Sequence, residues 1–246
     1  PRPLVGVHAF PFQDRIKFNK FNLKGDSVMN KTSAINYHLN ELEIARSSES
    51  LHFSMPKFSE NDQVILDIGC GIGQTFVASN LENSKLLIGI DIDIDSLIYG
   101  RRQFGYISFI NGNAEFLPFQ SNSFDFIVSR VALPYTNIPK SLLEVQRVLR
   151  KDGRVWLTLH SFFMTLGQLK EAVFEFHIKD VIFKSYVIVN GVVFHLTGKQ
   201  FAFPLNRKYE SFQTESGITK AMKEAGFKNI NISKGKHFIV TAEKGV

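Results

Sequence analysis

The sequence predicts an α/β protein built on a doubly wound, mainly parallel sheet of seven strands. Two observations lead to this fold class. An apolar run at residues 64–68 ends in a turn that carries Gly69, Gly71 and Gly73, and a helical stretch starts at Gln74. Short β-branched runs then alternate with helical stretches, which is typical of βαβ units in a parallel sheet. In such folds, ligands bind beyond the carboxyl ends of the strands.

The elements of the central region follow this alternation in order. After the first strand, the pattern predicts strands at residues 86–90, 107–110, 124–129 and 154–160. Helices are expected at 96–103 and 140–149, and Gly153 provides a stop signal after the second of them. A helix at 215–226 and strands at 227–233 and 237–242 complete the sheet.

Three regions fall outside this alternation. Residues 1–30 lack periodicity and are expected to form an irregular arm that packs through four aromatic residues, Phe10, Phe12, Phe18 and Phe21. Residues 33–53 have a helical pattern and form a cap before the first strand. Residues 161–210 interrupt the alternation after the fifth strand and hold many of the 24 phenylalanines.

Residues 181–198 within that insertion allow two interpretations. Asn190-Gly191 between β-branched runs is typical of a β-hairpin. However, Lys184, Gly191, His195 and Gly198 lie on one helical stripe, and Gly198 is a suitable residue to end a helix. The sequence slightly favours the helix.

Length and composition limit the class of protein. The chain has 246 residues, of which 44% are hydrophobic and 21% charged, as in ordinary globular proteins. The net charge of +6 permits nucleic-acid binding, but the basic residues are scattered as on a solvated surface. The single cysteine, Cys70, excludes a disulfide framework and a Cys-cluster zinc site, and we expect no metal. We see no apolar run of about 18 residues and no leader peptide, and therefore expect no membrane span and a cytoplasmic location.

Asp91 is the first candidate binding residue, because it ends the second strand downstream of the glycine turn. A carboxylate at this place can accept hydrogen bonds from both hydroxyls of a ribose. Asp91 also begins an acidic cluster with Asp93 and Asp95, so a surface role is the alternative; its strand position favours the ligand. The turn is not a dinucleotide fingerprint, because Gln74 stands where that pattern needs its third glycine.

The pattern Asp67-x-Gly69-x-Gly71-x-Gly73 resembles motif I of class I S-adenosylmethionine (SAM)-dependent methyltransferases. Residues 111–119 resemble the G-D-A-x-x-L-P-F segment of this family, with Asn113 in place of the acid. Residues 124–129 and 142–153 resemble the strand, helix and turn that follow it. The resemblance spans residues 64–160 in consistent order, and it points to the small-molecule methyltransferases of the class.

The resemblance implies SAM as cofactor and S-adenosylhomocysteine as product. Gly69 and Gly71 would pass under the methionine part, Asp67 would hold its amino group, and Ile92 would stack on the adenine. Asn113 would accept a hydrogen bond from the adenine amino group, with an uncharged oxygen in place of a carboxylate. The full set of cofactor-binding candidates is Asp67, Gly69, Gly71, Gly73, Asp91, Ile92, Asn113, Ala114 and Ser129.

Catalytic candidates are fewer, because methyl transfer mainly needs alignment of the acceptor with the sulfonium methyl group. A base is required only if the acceptor keeps its proton. His160, Tyr135 and His38 are candidates for it, and each has a packing role as its alternative. Tyr37 and Arg130 are candidates for contact with the acceptor, Arg130 with an acidic one.

We therefore expect one methyltransferase domain over residues 1–246. It would consist of an arm and cap (1–60), a cofactor-binding core (61–160), a substrate-side insertion (161–210) and closing elements (211–246). The expected acceptor is a small, partly apolar molecule, because the aromatic insertion suits such a ligand better than a duplex. An RNA methyltransferase and a SAM-binding partner protein without turnover are the alternatives. The aromatic residues of the insertion could instead form a homodimer interface.

Overall fold

The computed structural model describes residues 26–50, 53–81, 85–234 and 237–245, with side chains from residue 34 onward. Seven helices and a short 3₁₀ turn accompany seven strands within these ranges. The helices are α1 (Asp26–Arg46), α2 (Gln74–Ala78), α3 (Ile94–Gln103), α4 (Ile138–Val148), α5 (Phe162–Phe174), α6 (Ile178–Thr197) and α7 (Glu215–Glu224). The strands are β1 (Val64–Ile68), β2 (Leu86–Asp91), β3 (Ser108–Asn111), β4 (Phe124–Arg130), β5 (Leu149–Leu159), β6 (Phe227–Ser233) and β7 (Phe238–Lys244).

The seven strands form one sheet in the order β3-β2-β1-β4-β5-β7-β6. β1 to β5 are parallel to one another, and β7 runs antiparallel between β5 and β6. The predicted fold class is confirmed. Because the strand order reverses between β1 and β4, the crevice for a ligand lies beyond the carboxyl ends of these central strands.

Two apolar layers sandwich the sheet. One contains Leu66, Ile127 and Leu157 and packs against α4 and α7; the other contains Ile65, Phe126 and Trp156 and receives Leu42 of α1. All five residues of β1 are buried, as expected for a central strand covered on both faces.

The start of the chain differs from the sequence prediction. α1 begins at Asp26 and ends at Arg46, so residues 26–30 are helical instead of irregular, and residues 47–50 are not part of the cap helix. The serines after Arg46 are weak helix formers, which favours the end of the helix there. The four phenylalanines of the expected arm lie outside the described residues.

The connection from α4 to β5 also differs. The predicted stop at Gly153 is not where the helix ends, because α4 ends at Val148 and Leu149 is already extended. Leu149 pairs with Phe124 at the start of β4, and the register shifts before Arg154 pairs with Phe126. Asp152 turns the backbone within this stretch with a φ of 62°. The strand therefore starts five residues earlier than periodicity indicated.

Residues 181–198 are helical. α6 ends at Gly198, which adopts the left-handed conformation with a φ of 71°. The stripe noted in the sequence faces the segment before α7: Lys184 pairs with Glu210 at 2.9 Å, and Gly191 lies against the Phe212 ring. A hairpin would have directed alternate residues of this stripe away from that segment.

α6 is also the one helix among the described residues that is long and apolar enough to cross a membrane. It has 20 residues and a mean hydropathy of 1.2 in its most apolar window, of which 28% is buried. The sequence led us to expect no apolar run long enough to span a membrane, and by length and hydropathy α6 is such a run. One helix of this kind is weak evidence for a span, because core helices of globular proteins have the same length and composition.

A buried polar network fixes α6 on the domain. The Asn190 side chain donates to the Glu210 carbonyl at 2.8 Å and to the Tyr186 hydroxyl at 3.1 Å, and it accepts from the Phe201 N–H at 3.0 Å. Asn190 is completely buried. Each of these groups would be costly to leave without a partner.

We predict that Asn190→Ala lowers the free energy of unfolding by roughly 1–3 kcal/mol for each buried group that loses its partner. Urea unfolding followed by circular dichroism measures the change. Ser185→Ala, on the exposed side of the same helix, is the control and should change stability by less than about 0.5 kcal/mol. Equal effects of the two substitutions would contradict a stabilising role for the network.

Candidate functional site

The candidate site lies where β1, β2, β4 and β5 end. The glycine turn follows β1, Asp91 ends β2, and Arg130 ends β4. Beyond β5, His160 starts the connection to α5. α1 packs beside α2 and α3 at this edge, next to the glycine turn.

The glycine turn is packed by protein atoms on several sides. Gly69, Gly71 and Gly73 all have positive φ, with values of 74°, 53° and 91°. A Cβ on Gly69 would collide with Ala132, one on Gly71 with the His38 ring, and one on Gly73 with Ile107 and Phe109. Because these glycines have no side chains, the loop after β4, the cap helix and the side chains of Ile107 and Phe109 can pack directly against the turn.

Asp91 holds the turn in place. Its Oδ2 accepts from the Gly71 N–H at 2.8 Å, and its Oδ1 accepts from the Asp93 N–H at 2.9 Å. Because each carboxylate oxygen can accept a second hydrogen bond, the group remains able to receive two ribose hydroxyls. The neighbouring Asp93 has a structural role: it caps α3 by accepting from the Asp95 N–H at 3.1 Å.

Asp67 is the most unusual acid of the site. It is 1% exposed, and neither carboxylate oxygen meets a hydrogen-bond partner, although the Thr75 hydroxyl and Arg130 lie close enough to lower its pKa. Burial dominates and raises the pKa of Asp67 to about 7. A buried carboxylate without a partner is costly for the fold. It is therefore a strong candidate for a group that a cationic ligand satisfies.

The residues expected at the adenine differ in their surroundings. Ile92 is 76% exposed beyond β2, which suits a stacking surface. The Asn113 amide oxygen accepts from the Glu115 N–H at 2.8 Å within its own turn. The amino group of an adenine would therefore have to donate to the second lone pair of this oxygen. Ala114 is buried behind it. Ser129 is fully buried and donates to the Ile68 carbonyl at 3.0 Å, so its side chain ties β4 to β1.

The cap helix reaches the glycine turn through His38. Its Nδ1 lies 3.3 Å from the Gln74 side-chain nitrogen, and its ring lies edge-on to Tyr37 with centroids 5.3 Å apart. Burial lowers the pKa of His38, and the nearby Asp91 opposes this shift. One turn further along α1, Glu41 pairs with Arg130 at 3.2 Å. This ion pair fixes the cap helix to the end of β4.

Tyr135 and His160 meet beyond the ends of β4 and β5. Their rings are edge-to-face with centroids 5.1 Å apart. Burial and the positive charge of Lys184 lower the pKa of His160 to about 4, so it is neutral at pH 7. Partial burial, with Glu210 and Tyr37 nearby, raises the pKa of Tyr135 to about 12. The structure thus brings Tyr37, Tyr135 and His160 to one side, and His38 to the glycine turn.

Thr158 and Gln213 contribute to this side and were not identified from the sequence. Thr158 pairs with Arg130 in the β4–β5 register, and both the Thr158 hydroxyl and one Arg130 nitrogen are buried without a partner. The Gln213 side chain accepts from the His160 N–H at 3.0 Å. The alternation of β5 indicates Thr158, because it lies on the same face as His160. No local pattern indicates Gln213, which is 53 residues away.

The loop after β4 has a strained start. Val131, a β-branched residue, has a φ of 62°, and its N–H donates to the Thr158 carbonyl at 3.2 Å. This backbone conformation is rare for branched side chains. It places Ala132 on Gly69 and leads into the 3₁₀ turn that presents Tyr135.

Within the described residues no cluster of three or more His, Cys, Asp or Glu could hold a metal ion. The site presents carboxylates, backbone N–H groups and aromatic rings. Such a set fits a ligand with a cationic group, hydroxyls and an apolar ring.

Comparisons with known proteins agree with this geometry. Residues 66–157 match the family Methyltransf_11, described as a methyltransferase domain. The demethylmenaquinone methyltransferase of Lactococcus lactis is 29% identical over 194 residues, which cover 73% of this chain and 74% of that protein. The ubiquinone/menaquinone biosynthesis C-methyltransferase UbiE of Rickettsia felis is 27% identical over 238 residues, covering 94% and 86%.

Solved structures share the fold. A chain in the complex of the Haloferax volcanii Trm112 methyltransferase activator superposes with a TM-score of 0.58 at 15% identity, over 88% of this chain and 97% of that chain. The fold is Rossmann-like, and the match over residues 66–157 identifies a methyltransferase domain, so the chain is an enzyme that transfers methyl groups. Its fold and sequence motifs are similar to those of class I SAM-dependent methyltransferases.

We predict that Asp67→Asn stabilises the protein increasingly as the pH rises. Asp67 has a raised pKa in the folded state, so its contribution to stability is lost as the pH rises from about 4 through about 7. The variant should gain roughly 2–3 kcal/mol over the parent between pH 5 and pH 8, because one pKa unit corresponds to about 1.4 kcal/mol.

Urea unfolding at both pH values measures this gain. Asp152→Asn is a matched control, because Asp152 is a surface acid with its side chain 73% exposed. A stability difference between Asp67→Asn and the parent that does not change with pH would show that Asp67 titrates normally.

Proposed function

We propose that this enzyme transfers the methyl group of SAM to a small, partly apolar acceptor that carries an aromatic or quinone-type ring. The observation that carries the proposal is the buried Asp67 carboxylate without a partner, behind the glycine turn that Asp91 holds. A cationic amino group near Asp67 and a ribose at Asp91 would satisfy both acids. S-adenosylhomocysteine would leave as the second product.

The cofactor fits the chain as follows. Asp67 holds the amino group of the methionine part, directly or through water, while Gly69 and Gly71 form the floor. Asp91 accepts from the ribose hydroxyls, and Ile92 lies against the adenine. Asn113 and the backbone of Ala114 meet the adenine edge, and the end of β4 at Ser129 borders the methionine part.

The acceptor occupies the space between α1 and the start of α5. Tyr37 is 60% exposed and Tyr135 54% exposed, so their rings are available to a flat apolar molecule. Phe162 continues this wall and stacks edge-on with Phe212 at 5.0 Å. The names of the two relatives point to ring compounds of quinone biosynthesis, and rings of that size suit aromatic walls.

The bound cofactor supplies an electrophilic sulfonium methyl group. When the acceptor atom is a ring carbon, a new C–C bond replaces a C–H bond, and the proton must leave. His160 is the group that we propose to receive it, because its ring lies edge-to-face with Tyr135 beyond the end of β5 and is unprotonated at pH 7. Tyr135 stays protonated at pH 7 and can donate to an acceptor oxygen. The buried Arg130 nitrogen and Thr158 hydroxyl are further donors on that side.

We predict that the chain binds SAM and S-adenosylhomocysteine but not NAD, as measured by calorimetry. Asp91→Ala should weaken SAM binding by roughly 1.5–3 kcal/mol, the range for hydrogen bonds to a charged group. Asp152→Ala serves as the control. NAD binding without SAM binding would contradict SAM as the cofactor. Unchanged SAM affinity in a folded Asp91→Ala variant would show that the cofactor does not contact Asp91.

We predict that His160→Gln and Tyr135→Phe reduce methylation while SAM affinity stays nearly constant. The assay uses labelled SAM and a demethylmenaquinol with a short side chain. His160→Gln should lower kcat by roughly 10²–10⁴-fold if His160 takes the proton, and Tyr135→Phe should act mainly on KM. Phe174→Ala, a remote exposed phenylalanine, is the control.

Methylation of an RNA panel in the absence of quinol methylation would instead favour the RNA alternative, for which the net charge of +6 is the available support. A loss of SAM affinity in both His160→Gln and Tyr135→Phe would show that these two residues belong to the cofactor site.

A further inference from the structure

The outer face of α6 carries a strip of exposed apolar residues. Five side chains contribute to it, with exposed fractions between 46% and 73%: Ile178, Ile182, Val189, Val192 and Leu196. They lie opposite the side of the helix that is buried against the domain through Tyr186, Asn190 and Phe194. We call these five residues and Ser185, which is exposed among them, the α6 seam.

The seam is large for the surface of a monomer. Five half-exposed aliphatic side chains reach the upper end of the roughly 300–600 Å² of the largest apolar patch on a typical monomer. The preceding helix, α5, also exposes apolar side chains: Phe163 and Phe174 are each 81% exposed, opposite the buried Thr165 and Ala172 of that helix.

The spacing of the seam indicates what covers it. Residues 178, 182, 185, 189, 192 and 196 follow one another at intervals of four, three, four, three and four. This is the heptad spacing of helices that pack side by side in knobs-into-holes fashion. The partner is therefore a helix with the same spacing.

A second α6 meets this requirement. The intervals read the same in both directions, so two antiparallel copies related by a twofold axis place Ile178 opposite Leu196 and Ile182 opposite Val192. Ser185 then faces Val189 beside the axis, where a small side chain allows close approach. An interface of this type uses the same surface patch on both copies.

The charges around the seam suit a second copy better than a membrane. The antiparallel arrangement brings the start of α6, which follows Glu175, near the end of the second α6, which precedes Lys199. Glu175 lies 3.2 Å from His177 within its own chain, and Lys199 of the second copy would add a positive charge beside it. The antiparallel arrangement also aligns the helix dipoles favourably. A surface that binds a bilayer is usually rich in Lys and Arg, whereas Lys179 and Asp180 mix both signs beside Ile178.

We propose that the enzyme forms a twofold homodimer through antiparallel packing of the α6 seam. The proposal does not depend on the identity of the acceptor. Because the seam faces away from the segment that carries Glu210 and Gln213, both sites of the dimer stay accessible to their ligands.

Sedimentation velocity of the full chain tests the proposal. We expect a species of twice the 27.9 kDa chain mass at micromolar concentration. Val189→Asp should weaken association roughly a hundredfold or more, because a charge is buried from each copy. Leu143→Asp is the matched control, since Leu143 on α4 and Val189 are both 55% exposed. Circular dichroism confirms that both variants fold.

A charge exchange tests the antiparallel arrangement itself. Glu175→Lys and Lys199→Glu should each weaken the dimer, and the double variant should restore it. A dimer that Val189→Asp breaks but the double variant does not restore would overturn the antiparallel pairing. A parent chain that is still monomeric at 100 µM would overturn the proposal. The same holds if that monomer binds vesicles of zwitterionic or anionic phospholipid, because the seam would then bind a membrane and not a second copy.

Discussion

The absence of three Cβ atoms after β1 is the constraint on which the site depends. At Gly69, Gly71 and Gly73 the loop after β4, the cap helix and the side chains of β3 occupy the volume that side chains would fill. Asp91 then fixes the middle of the turn through the Gly71 N–H. Three elements from distant parts of the chain therefore converge on one short stretch of backbone. A side chain at any of these positions would displace a wall of the site as well as strain the turn.

The acids around this turn illustrate a conflict between stability and binding. Asp91 is satisfied by two backbone N–H groups, and Asp62 elsewhere is satisfied by Arg154. Asp67 is more deeply buried than Asp91, yet neither of its carboxylate oxygens makes a hydrogen bond. In the absence of a ligand the fold tolerates this cost because the sheet around it is extensively packed. Sites often retain such unfavourable groups because a bound ligand compensates for them.

Much of this architecture could be predicted because the informative signals are local. The apolar run of β1, the glycine turn and the acid that ends β2 are contiguous patterns, and the alternation of strands and helices determines the sheet. The choice between helix and hairpin at residues 181–198 depended on contacts with Glu210 and Phe212, which sequence shows only as a weak stripe. The early start of β5 depends on pairing between Leu149 and Phe124. The partner of the His160 backbone, Gln213, is remote in sequence, and the internal hydrogen bond of Asn113 follows from turn geometry.

The left-handed conformation of Val131 has a consequence for how firmly the acceptor side is shaped. A branched residue in this region raises the energy of the folded chain by about 1–2 kcal/mol, and neighbouring contacts must supply that amount. The Thr158 carbonyl and the fit of Ala132 on Gly69 do so. Val131 therefore keeps this φ only while both contacts are in place, and it leads into the 3₁₀ turn that carries Tyr135. A glycine at position 131 would adopt the same φ without strain and would restrict the start of the turn less.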